Sequence, residues 1–213
     1  MHPIYQMLGL LPVMALAGCN SPESQTMSQD TTSVVTDQTT ESIEAGFKQN
    51  PSPKHAYRVT LTFPDAPGPF ASIEGFAQYT APDCTYIINK AAGATAHPEK
   101  LIPVTYAKID ERTYAGTVHT DAMQDEDYFG KGVCHWNLVV VSAQLRATGA
   151  QGETRFFATL SRSALLAHEP QTSRHEKKRY PSDPTVSDFS SLGLDPVSED
   201  SFPLTMTSEV VAP

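Results

Sequence analysis

Basic residues are scarce in this chain. Fifteen Lys and Arg stand against 24 Asp and Glu among 213 residues, a formal net charge of −9 at pH 7. That balance provides no electrostatic footprint for nucleic acid or for adhesion to an anionic membrane surface, so no nucleic-acid partner is expected. Long apolar runs are scarce too. The one mostly apolar stretch, from Ile4 to Leu16, contains Pro12 and is too short to span a hydrocarbon core of ~30 Å. Catalytic signatures are missing as well: no serine sits in a G-x-S-x-G elbow, and no dinucleotide fingerprint occurs. Gly130-Lys131-Gly132 lacks the earlier Gly and the following Ser or Thr of a phosphate-binding loop. His168-Glu169 and His175-Glu176 begin like H-E-x-x-H, but the residues three beyond each Glu are Thr172 and Arg179. Neither internal repeats nor heptads are present. No cofactor or resident metal is expected.

What is present begins at the N-terminus. Leu16-Ala17-Gly18-Cys19 closes the apolar stretch with small residues directly before a cysteine, and this resembles the lipobox of bacterial lipoproteins. The n-region departs from the usual pattern, with His2 and the terminal amine in place of Lys or Arg. The resemblance implies that residues 1–18 are a signal peptide and that Cys19 carries lipid, which would hold the mature protein to a membrane. Asn rather than Asp at position 20 implies sorting to the outer membrane, with the chain on its periplasmic face.

Lipidation of Cys19 would leave Cys84 and Cys134 as an even pair, and an oxidising periplasm favours a disulfide between them. A reactive thiol is the alternative. Residues 19–54 read as the lipidated cysteine and a disordered tether, because Ser, Thr, Gln, Asp and Glu dominate and Phe47 is the only aromatic residue.

Residues 55–213 change texture. Tyr57, Val59, Leu61 and Phe63 alternate with Arg58, Thr60 and Thr62, the period-two pattern of a strand with one buried face. The Asp65-Ala66-Pro67-Gly68-Pro69 stretch supplies turn chemistry before a second strand from Phe70 to Tyr79, predicting a hairpin. Further strands are predicted over 85–89, 101–109, 113–120, 133–147, 155–160 and 202–211. A short helix is predicted from Ser163 to Glu169, stopped by Pro170. The segment from Pro170 to Asp200 reads as a long irregular connection rich in Pro, Ser, Thr and Asp. The expected fold is all-β, a single β-sandwich, immunoglobulin-like or transthyretin-like, with one short helix and a long irregular segment near the C-terminus. A small up-and-down barrel is the alternative. Cys134 and Trp136 share a strand face by the two-residue rule, which places the only tryptophan beside the disulfide.

Candidate chemistry is thin. His55, His97, His119 and His135 lack metal-ligand spacing, and Asp121, Asp125, Glu126 and Asp127 do not follow the order of a calcium-binding loop. They read as a solvated loop leading into the Cys134 strand. The run Arg174, His175, Glu176, Lys177, Lys178, Arg179, Tyr180 is a basic stripe in an acidic molecule, with Phe189, Leu192 and Leu194 in the same segment. A basic rim beside apolar side chains suits a protein interface. Arg174, Lys177, Lys178, Arg179, Tyr180 and Phe189 are therefore the candidate partner-binding residues. Signal, tether and small disulfide-bonded domain together resemble, in layout, periplasmic lipoprotein immunity proteins, which sequester toxic effectors. The expected function is a noncatalytic, lipid-anchored periplasmic module that binds a protein partner, and the immunity-protein resemblance implies a secreted effector as one such partner. The alternatives are an envelope structural or assembly lipoprotein, and a periplasmic hydrolase whose site draws on Asp121, His119 or His135 from separate loops.

Overall fold

The computed structural model describes residues 40–150, 152–182 and 197–211. Among the described residues, eleven strands follow a first short helix, α1 (Thr40–Ala45), and enclose a second, α2 (Arg162–Ala167). The strands are β1 (Ala56–Thr62), β2 (Ser72–Thr80), β3 (Tyr86–Asn89), β4 (Ala94–Ala96), β5 (Glu99–Val104), β6 (Ala107–Asp110), β7 (Thr113–His119), β8 (Asn137–Arg146), β9 (Phe156–Ser161), β10 (Gln171–Glu176) and β11 (Ser201–Val210). They form a five-stranded sheet in the order β10-β11-β1-β7-β6, a four-stranded sheet in the order β5-β2-β8-β9, and a β3-β4 ribbon. Every pairing is antiparallel. The fold is an all-β sandwich.

Alternation in sequence becomes a core because successive side chains on a strand point to opposite faces. Val59 and Leu61 of β1, Phe202, Leu204 and Met206 of β11, and Phe156, Ala158 and Leu160 of β9 are all fully buried. Each large apolar side chain removed from water in this way contributes about 1.5–3 kcal/mol. On the outer face of the larger sheet, Thr172, Thr205, Thr62 and Thr113 lie in one register row across β10, β11, β1 and β7. Their branched side chains suit an extended backbone while their hydroxyls tolerate solvent.

Two connections differ from the sequence expectation. β1 and β2 do not make a hairpin; they belong to different sheets. The residues between them are long enough to cross the sandwich, and Phe63, Ala66 and Phe70 within that connection are buried. Phe63 and Phe70 meet edge to face at 5.1 Å, so the turn residues bridge the sheets rather than reverse a strand. The strand expected over 101–109 is likewise two, β5 in the four-stranded sheet and β6 in the five-stranded one. Tyr106 turns inward at that crossing. A Cβ on Gly75 of β2 would collide with the Tyr106 ring and the Val104 carbonyl, and one on Gly116 of β7 would lie 2.9 Å from both the Thr105 carbonyl and a Val104 methyl. Glycine at these two positions makes the room the crossing needs.

The C-terminal third is more regular than expected. Gln171–Glu176, expected to be irregular, is strand β10, paired along its length with β11. His175 anchors it, fully buried between Phe156 at 5.4 Å and Phe202 at 5.6 Å, with its Nε2 and the Phe157 carbonyl 3.0 Å apart. Residues 183–196 of the expected irregular segment lie outside the described residues. The predicted helix is present as α2: the Ser161 hydroxyl accepts from the Ala164 amide, and His168 closes the helix at φ 58°.

The folded domain also begins earlier than residue 55. Phe47, expected in the tether, is buried against Tyr86, Tyr128, Phe129 and Trp136. Its neighbours fix it further: the Asn50 amide donates to the Ala122 carbonyl at 2.8 Å, and Lys48 Nζ meets Glu126 Oε1 at 2.7 Å. This N-terminal strap lies at one end of the larger sheet, where β1 starts opposite His119, whereas β1 ends opposite Thr113. The two ends are separated by the length of β1, about 20 Å at the usual rise per residue.

Candidate functional site

At the end of the larger sheet away from the strap lies an open cavity of about 450 Å3. The crossing between β1 and β2 supplies Pro64, Asp65 and Ala66; the turn between β6 and β7 supplies Arg112; β10 supplies Arg174 and the 3-10 turn after it Lys177; the residues leading into β11 supply Ser198 and Glu199, and β11 itself Ser201 and Pro203.

Each cation has a structural reason for its place. Asp110 Oδ1 accepts the Arg112 amide at 2.8 Å, which tightens the β6–β7 turn. Arg112 Nη1 then donates to the carbonyls of Ala66 at 2.7 Å and Phe63 at 3.3 Å, so its guanidinium is held against the crossing. Arg174 sits between buried Ser173 and buried His175 on β10 and therefore faces the other side of the sheet, opposite Pro203. Lys177 follows in a single 3-10 turn, Lys177–Arg179, where its amide donates to the Asp200 carbonyl at 2.7 Å and its Nζ to the Glu199 carbonyl at 2.8 Å. Among the described residues none of these three cations has a carboxylate within ion-pair distance. Asp65 and Glu199 line the same cavity, so three cationic and two acidic residues share its lining.

The sequence-predicted partner-binding set divides. Arg174 and Lys177 come together at the cavity. Lys178 and Arg179 instead flank Glu176, at 3.2 Å and 3.0 Å from its two carboxylate oxygens. The Tyr180 ring packs on Phe70 and Phe156, and its hydroxyl donates to the Pro69 carbonyl, which pins the crossing between β1 and β2. Burial pushes the Tyr180 hydroxyl above the usual tyrosine range. Gly68 is required beneath it, since a Cβ there would strike the Tyr180 ring. Cys19 and Phe189 lie outside the described residues.

Cys84 and Cys134 are joined, with Cα atoms 5.5 Å apart and both sulfurs in the core that includes Trp136. A closure of 50 residues contributes about 4 kcal/mol by restricting the unfolded chain. The acidic loop is organised by its own carboxylates. Burial pushes Asp121 up, but the amides of Lys54 and His55 that donate to it outweigh this and hold it below the usual carboxylate range. Asp125 accepts the Trp136 amide at 2.9 Å, and Asp127 accepts those of Phe129 and Lys131. Among the described residues no three such groups gather as a metal site. His135 pairs with Asp83 at 2.6 Å, while the His119 carbonyl accepts the Tyr79 hydroxyl at 2.6 Å.

Sequence reasoning missed Arg112. Its only local signal is the Asp110-Glu111-Arg112 turn, which marks a reversal but not the segment 62 residues away that it faces. Compared with family models, curated proteins and solved structures, the chain matches none.

Proposed function

We propose that this protein is a noncatalytic, lipid-anchored binding module of the periplasm, attached through Cys19 to the outer membrane, that docks a protein partner on its cationic end. The observation that carries the reading is the gathering of Arg112, Arg174 and Lys177 around one open cavity in a molecule of net charge −9. Cations without ion-pair partners among the described residues attract an acidic surface, raising the encounter rate and fixing the docking register.

The strap that leads into β1 lies at the end of the larger sheet opposite the cavity. The layout resembles that of lipoprotein immunity proteins, so the partner to seek first is a toxic effector delivered to the periplasm.

The test has two arms. Membrane fractionation of Cys19→Ala should release the protein or leave it as an unprocessed precursor, and a variant that stays membrane-bound like the wild type contradicts the anchor. Capture of a specific envelope or effector protein by the wild type should be lost on Arg174→Glu with Lys177→Glu. Equal capture by that variant contradicts the proposed docking end.

A further inference from the structure

We infer that the cavity is a carboxylate site, which takes acidic side chains from an extended segment of the partner; this rests on the partner-binding reading above. The chemistry follows from how the donors are held. Arg112 spends Nη1 on two backbone carbonyls, and its other guanidinium nitrogens have no bond to any described residue. A planar fork fixed in this way matches a planar carboxylate, where a lysine would supply only a mobile point charge. Arg174, on a strand anchored by buried His175, provides a second guanidinium with no partner among the described residues. Lys177 is held by its bond to the Glu199 carbonyl at 2.8 Å and adds charge at the rim.

The two carboxylates in the lining decide between anions. Asp65 and Glu199 share the cavity with the three cations, so one positive charge is left in excess. A carboxylate carries a single negative charge and balances it. A phosphate group carries about 1.5 to 2 negative charges at neutral pH and meets correspondingly greater repulsion from Asp65 and Glu199. At about 450 Å3 the cavity exceeds one carboxyl group and has room for more than one side chain of a bound segment. Arg112, which no local motif marks, is thus a specificity-determining residue beside Arg174 and Lys177.

The probe is an oligoglutamate peptide with an amidated C-terminus, titrated by calorimetry and amide NMR against the full-length protein, with inorganic phosphate as a second ligand. Arg174→Gln with Lys177→Gln should weaken peptide binding about tenfold or more, as expected for loss of charge-assisted bonds. Arg112→Lys keeps the charge but loses the fork, and should weaken it severalfold. Lys178→Gln with Arg179→Gln, which alters cations already paired with Glu176, should leave it within about twofold. Thermal melting confirms that each variant is folded, and the Arg174 and Lys177 variant alone decides the matter if Arg112→Lys unfolds. Equal losses in the pocket and control variants, or none in either, overturn the inference in favour of diffuse attraction. Phosphate binding tighter than peptide, with the same dependence on Arg174 and Lys177, overturns it in favour of a free-phosphate site. The two readings fail separately: peptide binding lost from the pocket variant while the captured protein stays contradicts only the docking end, and the reverse contradicts only the carboxylate chemistry.

Discussion

Replacing Phe47 with alanine removes the ring that fastens the N-terminal strap to the sandwich. The ring is 5% exposed and lies 5.2 Å from Trp136, 5.4 Å from Tyr128, and 6.3 Å from both Tyr86 and Phe129. Truncating a buried phenylalanine costs about 3–5 kcal/mol when its surroundings cannot collapse. The strap sits at the edge of the domain and can close partly around the smaller side chain, so the lower value, about 3 kcal/mol, is expected. With a urea dependence of about 2 kcal/mol per molar, the unfolding midpoint should fall by about 1.5 M. Trp136 fluorescence reports the transition from inside the cluster. A midpoint lowered by less than about 0.3 M would refute the reasoning, because residues 40–50 would then be an appended segment and not part of the cooperative unit.

Gly75→Ala should destabilise by about 1–3 kcal/mol, the range for overpacking, because the new methyl meets Tyr106 and the Val104 carbonyl; thermal unfolding checks this, and an unchanged midpoint contradicts the account of the β5–β6 crossing. The His135–Asp83 pair should be visible by pH titration. The hydrogen bond that the His135 ring donates to the Asp83 carboxylate raises the His135 pKa above the usual 6.5, and the same bond lowers that of Asp83. The histidine's contribution is thus present below about pH 6.5 and lost as pH rises through its raised folded value, while the aspartate's is present above its unfolded value and lost as pH falls through the lowered one. In NMR titrations His135 should titrate above 6.5 in the wild type and move down towards that value in Asp83→Asn. Identical midpoints in the two proteins would contradict the pairing.

Much of the fold was legible because alternation is a local signal. Val59 and Leu61, or Phe202, Leu204 and Met206, announce a buried face within a few residues, and these segments became strands with that face inward. Sheet membership was not legible. Pro67, Gly68 and Pro69 have the same turn chemistry whether the chain reverses into a hairpin or crosses between sheets, and the buried Phe63 and Phe70 that distinguish the cases act through distant partners. Phe47 was hidden for a related reason: one aromatic residue in a polar stretch carries no periodicity, although four rings elsewhere in the chain receive it. The basic run drew attention to Arg174 and Lys177 by composition alone. Composition could not separate them from Lys178 and Arg179, whose place beside Glu176 follows from the 3-10 turn, nor could it bring Arg112 to the same cavity.

The central claim, that a protein partner docks on the cationic end, is tested most directly by site-specific photocrosslinking in the intact envelope. A photoreactive residue at position 178, an exposed side chain that follows the cavity-lining Lys177 in sequence, is compared with one at position 131, in the loop at the strap end that also holds Glu126. The account predicts one discrete adduct from position 178 that disappears when Arg174→Glu is added, and none from position 131. An adduct from position 131 alone, or one from position 178 that survives Arg174→Glu unchanged, would contradict it.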